Sequence, residues 1–296
     1  MKKIRNSCLL VLTAFIWGIA FVAQSTGGDA IGPFSFNCIR FLMAGFALIP
    51  VVYLFNSIHL TKRKEKTNTI KGGIVCGIVL CLASNLQQLG ITMGTAAGKA
   101  GFLTACYVII VPLLGLFLHK KCGWNVWVGV LITLIGLYLL CIQTSLQLQQ
   151  SDILLLLCAL MYSVHILVID HYSSTIDGVC QSCIQFFVAG ILSSVPMFLF
   201  EIDDSWIIPF YQFKTWIPIL YAGICSSGIG YTLQVIGQED VHPVIASLLM
   251  SLESVFSVLA GWVLLHQSLS TKELLGCAFI FLAIVLAQLP LERKTI

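Results

Sequence analysis

Apolar runs of about 20 residues, each closed by a short polar stretch, recur from one end of this chain to the other. A helix of that length crosses the roughly 30 Å hydrocarbon core of a bilayer, so each run predicts a membrane-spanning helix. The first half gives Ser7 to Thr26, Pro33 to Phe55, Gly72 to Thr92, Thr95 to Leu118 and Asn125 to Gln143. The second gives Asp152 to Asp170, Val179 to Phe200, Trp216 to Gly237, Pro243 to Leu265 and Leu274 to Pro290. None has the period-two alternation of a membrane β-strand, so ten helices are expected, not a barrel. Short connections make successive helices antiparallel.

The runs also repeat. A shift of 145 positions lays LLVLTAFIWGIAFV from Leu9 over LLLLCALMYSVHIL from Leu154, and CIRFLMAG from Cys38 over CIQFFVAG from Cys183. Slipping two more residues brings LQQLG from Leu86 onto LQVIG from Leu233. The chain therefore divides into two five-helix units, 1–148 and 149–296. A unit with an odd number of spans must lie upside down relative to its copy, the inverted repeat of many secondary transporters. The first helix starts like a signal peptide, but its match to an internal span predicts that it is retained.

Composition agrees with burial in lipid. The 296 residues are 58% hydrophobic and 10% charged, with mean hydropathy +0.96, against roughly a quarter charged in soluble domains. No basic stripe suited to nucleic acid appears. Placement of charge says more than the net +3. Lys2, Lys3, Arg5, Lys62, Arg63, Lys64, Lys66, Lys71, Lys120, Lys121, Arg293 and Lys294 all fall on one side of ten spans. Asp29, Asp152, Glu201, Asp203 and Asp204 fall on the other, with Lys214 and Lys272 as basic exceptions. The positive-inside rule then puts both termini in the cytoplasm of a multi-pass plasma-membrane protein. Of the twelve cysteines only Cys122 is clearly in a loop, and the others read as small apolar packing residues, not disulfides or metal ligands.

Several runs together resemble the drug/metabolite transporter superfamily, in its EamA-type branch. They are AFIWGIAFV around Trp17, FNCIRFLMAG around Arg40, NLQQLG from Asn85 and AAGKAGFLTACYVIIVPLLGLFL from Ala96. HPVIASLLMSLESVFSVLAGWVLL from His242 and LLGCAFIFLAIVLA continue the likeness to the end of the chain. The resemblance implies an all-α integral membrane fold of ten helices in two inverted five-helix repeats, and a small-molecule solute as partner. It also implies that the second helix of each repeat lies toward the periphery. The chain departs from the pattern at His119-Lys120-Lys121 and His266-Gln267, where family members often carry Glu.

Polar groups at membrane depth nominate a site. Glu253 lies ten residues into its helix, about 15 Å deep and near the bilayer midplane. It reads either as a solute-facing, proton-exchanging carboxylate or as a buried Glu bridging helices. Lys99, one turn into the fourth helix among small residues, reads as a ligand for a solute carboxylate, as an interfacial anchor or as one half of a structural ion pair. Arg40 is about 10 Å into the second helix and matches neutral Gln185, which favours a structural role with the guanidinium on backbone carbonyls or at the interface.

Cys81, Asn85 and Gln88 share one face of the third helix, and Tyr231, Gln234 and Gln238 share one face of the eighth; such amides bind solute or glue helices. Trp17 and Tyr162 coincide under the repeat at mid-depth, where they line a cavity or pack. His165, Tyr107 and Trp262 complete the candidates.

The expected function is secondary transport of a small organic metabolite, an amino acid or related solute, by export and alternating access, with a proton or another ion as the candidate coupling partner. No GxxxxGK[ST] run is present, so no nucleotide cofactor is expected in this chain. The alternative is a membrane-embedded enzyme acting on a lipid or isoprenoid substrate, for which the chain offers no HExxH and few partnered carboxylates.

Overall fold

Lipid offers backbone N–H and C=O groups no partners, so each apolar run must satisfy them internally by closing into a helix. The structure is a computed structural model and describes residues 2–57, 65–95, 97–120, 123–141, 149–265 and 270–288, with backbone alone at 55–57, 97–99, 140–141, 261, 264–265 and 288. Lys62, Arg63, Lys64, Lys121, Cys122, His266, Gln267, Arg293 and Lys294 lie outside the described residues.

The first half comprises α1 (Lys2–Ile31), α2 (Pro33–Ser57), α3 (Lys66–Thr92), α4 (Ala97–Ala105), α5 (Tyr107–Phe117) and α6 (Trp124–Cys141). The second comprises α7 (Gln150–Tyr172), α8 (Gly178–Phe200), α9 (Phe213–Leu220), a π-helical stretch Tyr221–Tyr231, α10 (Thr232–Gly237), α11 (Pro243–Met250), α12 (Leu252–Leu265) and α13 (Thr271–Gln288). Among the described residues eight helical segments are long and apolar enough to cross a membrane. The shorter α6 and α13, 18 residues each, complete ten passages. α4 with α5 forms the fourth, α9 through α10 the eighth, and α11 with α12 the ninth. α1 begins five residues before the expected Ser7 and takes in the basic cluster; at 30 residues it spans about 45 Å, enough to carry its ends into the headgroups.

Packing follows the inverted repeat. α1 packs on the π-helical stretch and α10 as α7 packs on α3, and α1 packs on α12 as α7 packs on α4 and α5. α2 with α8 and α6 with α13 join equivalent helices of the two halves, and α3 packs on α8 as the π-helical stretch packs on α2. Side chains obey the same rule. A Cβ on Gly237 would meet Leu10 at 3.0 Å, and one on Gly90 would meet Leu155 at 2.7 Å, Leu10 and Leu155 being partners under the 145 shift. Small residues thus let the swapped helices approach closely, which is how membrane helices associate without a hydrophobic driving force.

The fourth and ninth passages break at corresponding points. Cys106 and Ser251, 145 positions apart, separate α4 from α5 and α11 from α12 with near-identical backbone angles, φ −58 ψ −11 and φ −61 ψ −14. Continuous apolar sequence gives no hint of either break.

Two polar latches tie the halves together at opposite ends. At one end Lys120, just after α5, pairs with Asp170 in the last turn of α7. At the other, Glu201 at the end of α8 accepts the N–H groups of Phe34 and Ser35, at 2.8 and 2.5 Å, in the first turn of α2. Those amides have no partner within their own helix, and the carboxylate also meets the positive end of the helix dipole. The single residue linking α1 to α2, Gly32, has φ +89, and a Cβ there would lie 2.6 Å from the Glu201 carboxyl carbon. Substituting Glu201 with Ala should therefore cost about 1–3 kcal/mol of stability, the usual loss when charge-assisted bonds leave buried N–H groups unpaired. Thermal unfolding of the purified protein in detergent would read this as a lowered midpoint, and an unchanged midpoint would refute it.

Candidate functional site

A hollow lies at mid-depth where the two halves meet, with about 470 Å³ of space between its walls, the mouth included. Each half supplies part of the wall. Trp17, Phe21, Gln24, Arg40, Gln87, Thr104 and Tyr107 come from the first, and Tyr162, Ile166, Ser226, Tyr231, Gln234, Met250 and Glu253 from the second. The repeat is visible inside it. Trp17 and Tyr162, and Phe21 and Ile166, all in the wall, are partners under the 145 shift, while Gln87 and Gln234 are partners under the slipped shift.

Tyrosines organise the polar wall. The Tyr162 hydroxyl donates to Gln87 Oε1 at 3.2 Å, and lies 3.1 Å from the Tyr231 hydroxyl and 3.4 Å from Ser84 Oγ. Gln87 in turn donates to Thr104 Oγ1 at 3.4 Å. Trp17 packs its ring 4.6 Å from that of Tyr231 and donates its indole N–H to the Ser226 carbonyl at 3.1 Å. Thr13 donates to the Gly230 carbonyl one turn away. The π-helical stretch, whose wider turns leave carbonyls open, is thus held by donors from α1.

Glu253 sits just after the break at Ser251, and Tyr107 just after the break at Cys106; the Tyr107 hydroxyl donates to Glu253 Oε1 at 3.0 Å. Among the described residues Glu253 forms no other hydrogen bond and no ion pair. Arg40 enters from α2 and is 2% exposed. Its guanidinium lies 4.6 Å from the Phe41 ring centre and 5.6 Å from that of Phe36, while Nε and Nη2 have no hydrogen-bond partner. The expectation that Arg40 would reach backbone carbonyls or the interface is therefore corrected: α2 is not peripheral at this level, and the charge faces the central hollow.

Among the described residues no cluster of three His, Cys, Asp or Glu could hold a metal ion. Residues 5–142 and 149–289 each match the EamA-like transporter family. The chain belongs to that family.

Among relatives of this EamA-like transporter, an uncharacterized transporter of Archaeoglobus fulgidus is 27% identical over 292 residues, covering 98% of this chain and 87% of the relative. The uncharacterized transporter YwfM of Bacillus subtilis is 24% identical over 301 residues, covering 100% and 98%. A crystal structure of a protein shares the fold with TM-score 0.78 at 17% identity over 96% of each chain. The chain is accordingly a multi-pass membrane protein of a family that handles small solutes in a lipid bilayer.

The candidates read from sequence separate into two groups in this transporter. Trp17, Tyr107, Tyr162, Tyr231, Gln234 and Glu253 line the hollow together. Asn85 accepts from Asn37 and donates to Ser193, both at 2.9 Å, tying α3 to α2 and α8. Gln88 donates to the Gln24 carbonyl of α1 at 2.7 Å. His165 lies 3.2 Å from Gln185 Oε1 on α8, and Gln238 donates to the Ile166 carbonyl at 3.1 Å. The Lys99 side chain lies outside what the structure describes. Trp262 is half-exposed on the bundle exterior and is no part of the hollow. Gln87, and Arg40, for which the sequence favours a structural role, also line the hollow. Gln87 carried a usable signal, since the slipped repeat pairs it, and not Gln88, with Gln234.

Proposed function

We propose that this chain is a secondary transporter that exports a small organic metabolite, an amino acid or related solute, by alternating access about the hollow, with no catalytic step. The observation that carries the reading is that the hollow lies between the inverted halves and takes its wall from both. The units 1–148 and 149–296 would rock about it, and each cross-half latch, Lys120 with Asp170 and Glu201 with α2, would open in one facing state. Glu253 supplies a membrane-depth carboxyl with a single hydrogen-bond partner among the described residues, suited to exchange a proton or to take a solute cation. Both termini are assigned to the cytoplasm of a plasma-membrane protein from the charge asymmetry.

The test is flux in sealed vesicles containing the purified protein. Saturable movement of at least one labelled solute from a panel of amino acids, nucleosides, sugars and organic cations is expected, driven faster outward than inward in oriented vesicles. Flux no greater than in empty vesicles across that panel would overturn the reading.

A further inference from the structure

The unpaired polar atoms of the hollow fall into two chemically opposite sets. Arg40 presents Nε and Nη2, two N–H donors with no acceptor, on a charge that is 2% exposed. Among the described residues Gln24 and Gln234 present buried Oε1 atoms that lack donors, and Glu253 has only the Tyr107 hydroxyl. All four residues line one hollow. A native interior rarely leaves buried polar atoms unpaired, because each costs about 1–3 kcal/mol and a charged one more. Cation–π contact with Phe41 and Phe36 offsets part of the cost for Arg40 but supplies no acceptor.

We infer that Arg40 is the carboxylate-binding residue of the solute site, and that the transported molecule carries a carboxylate at one end and N–H donors, such as an ammonium group, at the other. This rests on the transport reading above and goes further by assigning the recognition to a residue and a charge pattern. Adjacent N–H groups of a guanidinium fork match the two oxygens of a carboxylate, and this pairing is worth more inside a low-dielectric cavity than in water. A phosphate dianion fits less well. One guanidinium would leave it with excess negative charge close to Glu253, and among the described residues no second cation lines the hollow. A zwitterion leaves the loaded hollow near electrical balance, with the carboxylate on Arg40 and the ammonium on Glu253 and the two glutamine carbonyls. Arg40 also has the right flexibility of design. Its counterpart in the second half is Gln185, fully buried and bonded to His165, so only one half of the repeat carries the charge.

The experiment compares each common L-amino acid with its own amide, which removes the carboxylate charge at nearly constant size. Binding to the purified full-length chain is read by thermal unfolding and titration calorimetry. At least one acid should raise the unfolding midpoint of the wild type, with its amide binding about 10- to 100-fold more weakly, the loss of one charge-assisted bond pair. In Arg40→Gln, chosen because the equivalent position already houses Gln, acid and amide should bind alike. If that variant does not fold, the acid-to-amide ratio of the wild type decides alone. Equal binding of acid and amide to the wild type overturns the inference, as does an acid preference that survives in Arg40→Gln. Vesicle flux of nucleosides or sugars without any acid binding would sink the Arg40 assignment and leave transport standing. Acid binding without any flux would do the reverse.

Discussion

Replacing Glu253 by Gln should lower solute flux by about 10- to 100-fold at subsaturating solute while leaving the protein folded, because a neutral amide forfeits a charge-assisted contact with the solute. The substitution is nearly isosteric, and the amide carbonyl can still accept the Tyr107 hydroxyl now bound to Oε1 at 3.0 Å. The contact between the broken fourth and ninth passages therefore survives. What disappears is a group able to carry negative charge or a proton at a depth where a charge costs about 2.5–3.5 kcal/mol and is retained only for a reason. Two measurements separate the roles. Flux in vesicles with an imposed proton gradient should show solute accumulation by the wild type and none by Glu253→Gln. Tyr107→Phe, which removes the hydrogen bond and keeps the carboxyl, should retain the response to the gradient with a weaker apparent affinity. Accumulation by Glu253→Gln at the wild-type rate, in protein with an unchanged unfolding midpoint, would remove Glu253 from the mechanism.

Sequence places Glu253 at the depth where the hollow lies but does not say that Arg40 turns toward the same hollow, and the difference has a physical cause. Continuous apolar runs and their 145-residue repeat are sufficient to place ten passages and to invert one half against the other, because lipid leaves the chain no alternative to helices. Depth along a helix is also readable, since it is a count of residues at 1.5 Å each, and depth is what singled out Glu253, Trp17 and Tyr162. Direction around the helix is not readable in the same way. These helices are apolar on every side, so hydrophobicity does not say which face meets lipid and which meets the partner helix. Hence Gln88 and Gln87, adjacent on α3, could not be told apart by composition. One bonds the α1 backbone and the other faces the hollow. Arg40 is hidden for a related reason: its matched neutral residue suggests an uncharged role, whereas the two halves use the same position differently, one for a charge that lines the hollow and one for an amide beside His165. The π-helical stretch Tyr221–Tyr231 takes donors from Thr13 and Trp17 of α1, which no local pattern records.

The Gly18→Ala variant is expected to be among the most damaging single-methyl changes in the protein. A Cβ at Gly18 would lie 2.5 Å from Phe256 Cβ, 2.8 Å from the Glu253 carbonyl oxygen and 2.8 Å from the Ser257 backbone nitrogen. Two of these three are main-chain atoms of α12, which cannot rotate aside, so α1 and α12 must separate. Alanine gains about 1 kcal/mol of helix propensity over glycine, but forced overpacking costs about 1–3 kcal/mol, and the immovable neighbours put this site at the upper end. Separation reaches the site directly. The adjoining turns of α1 carry Trp17 and Thr13, whose bonds to the Ser226 and Gly230 carbonyls hold the π-helical wall, and the displaced segment of α12 carries Glu253 itself. Both stability and flux should therefore fall, and Gly18→Val should fold less well than Gly18→Ala. The comparison is Gly101→Ala, where an added Cβ meets only Ser254 Oγ at 3.9 Å and the propensity gain should prevail. Unfolding midpoints in detergent for the three variants decide the matter. A Gly18→Ala protein as stable as Gly101→Ala would mean that α1 and α12 are not in the close contact on which the position of Glu253 depends.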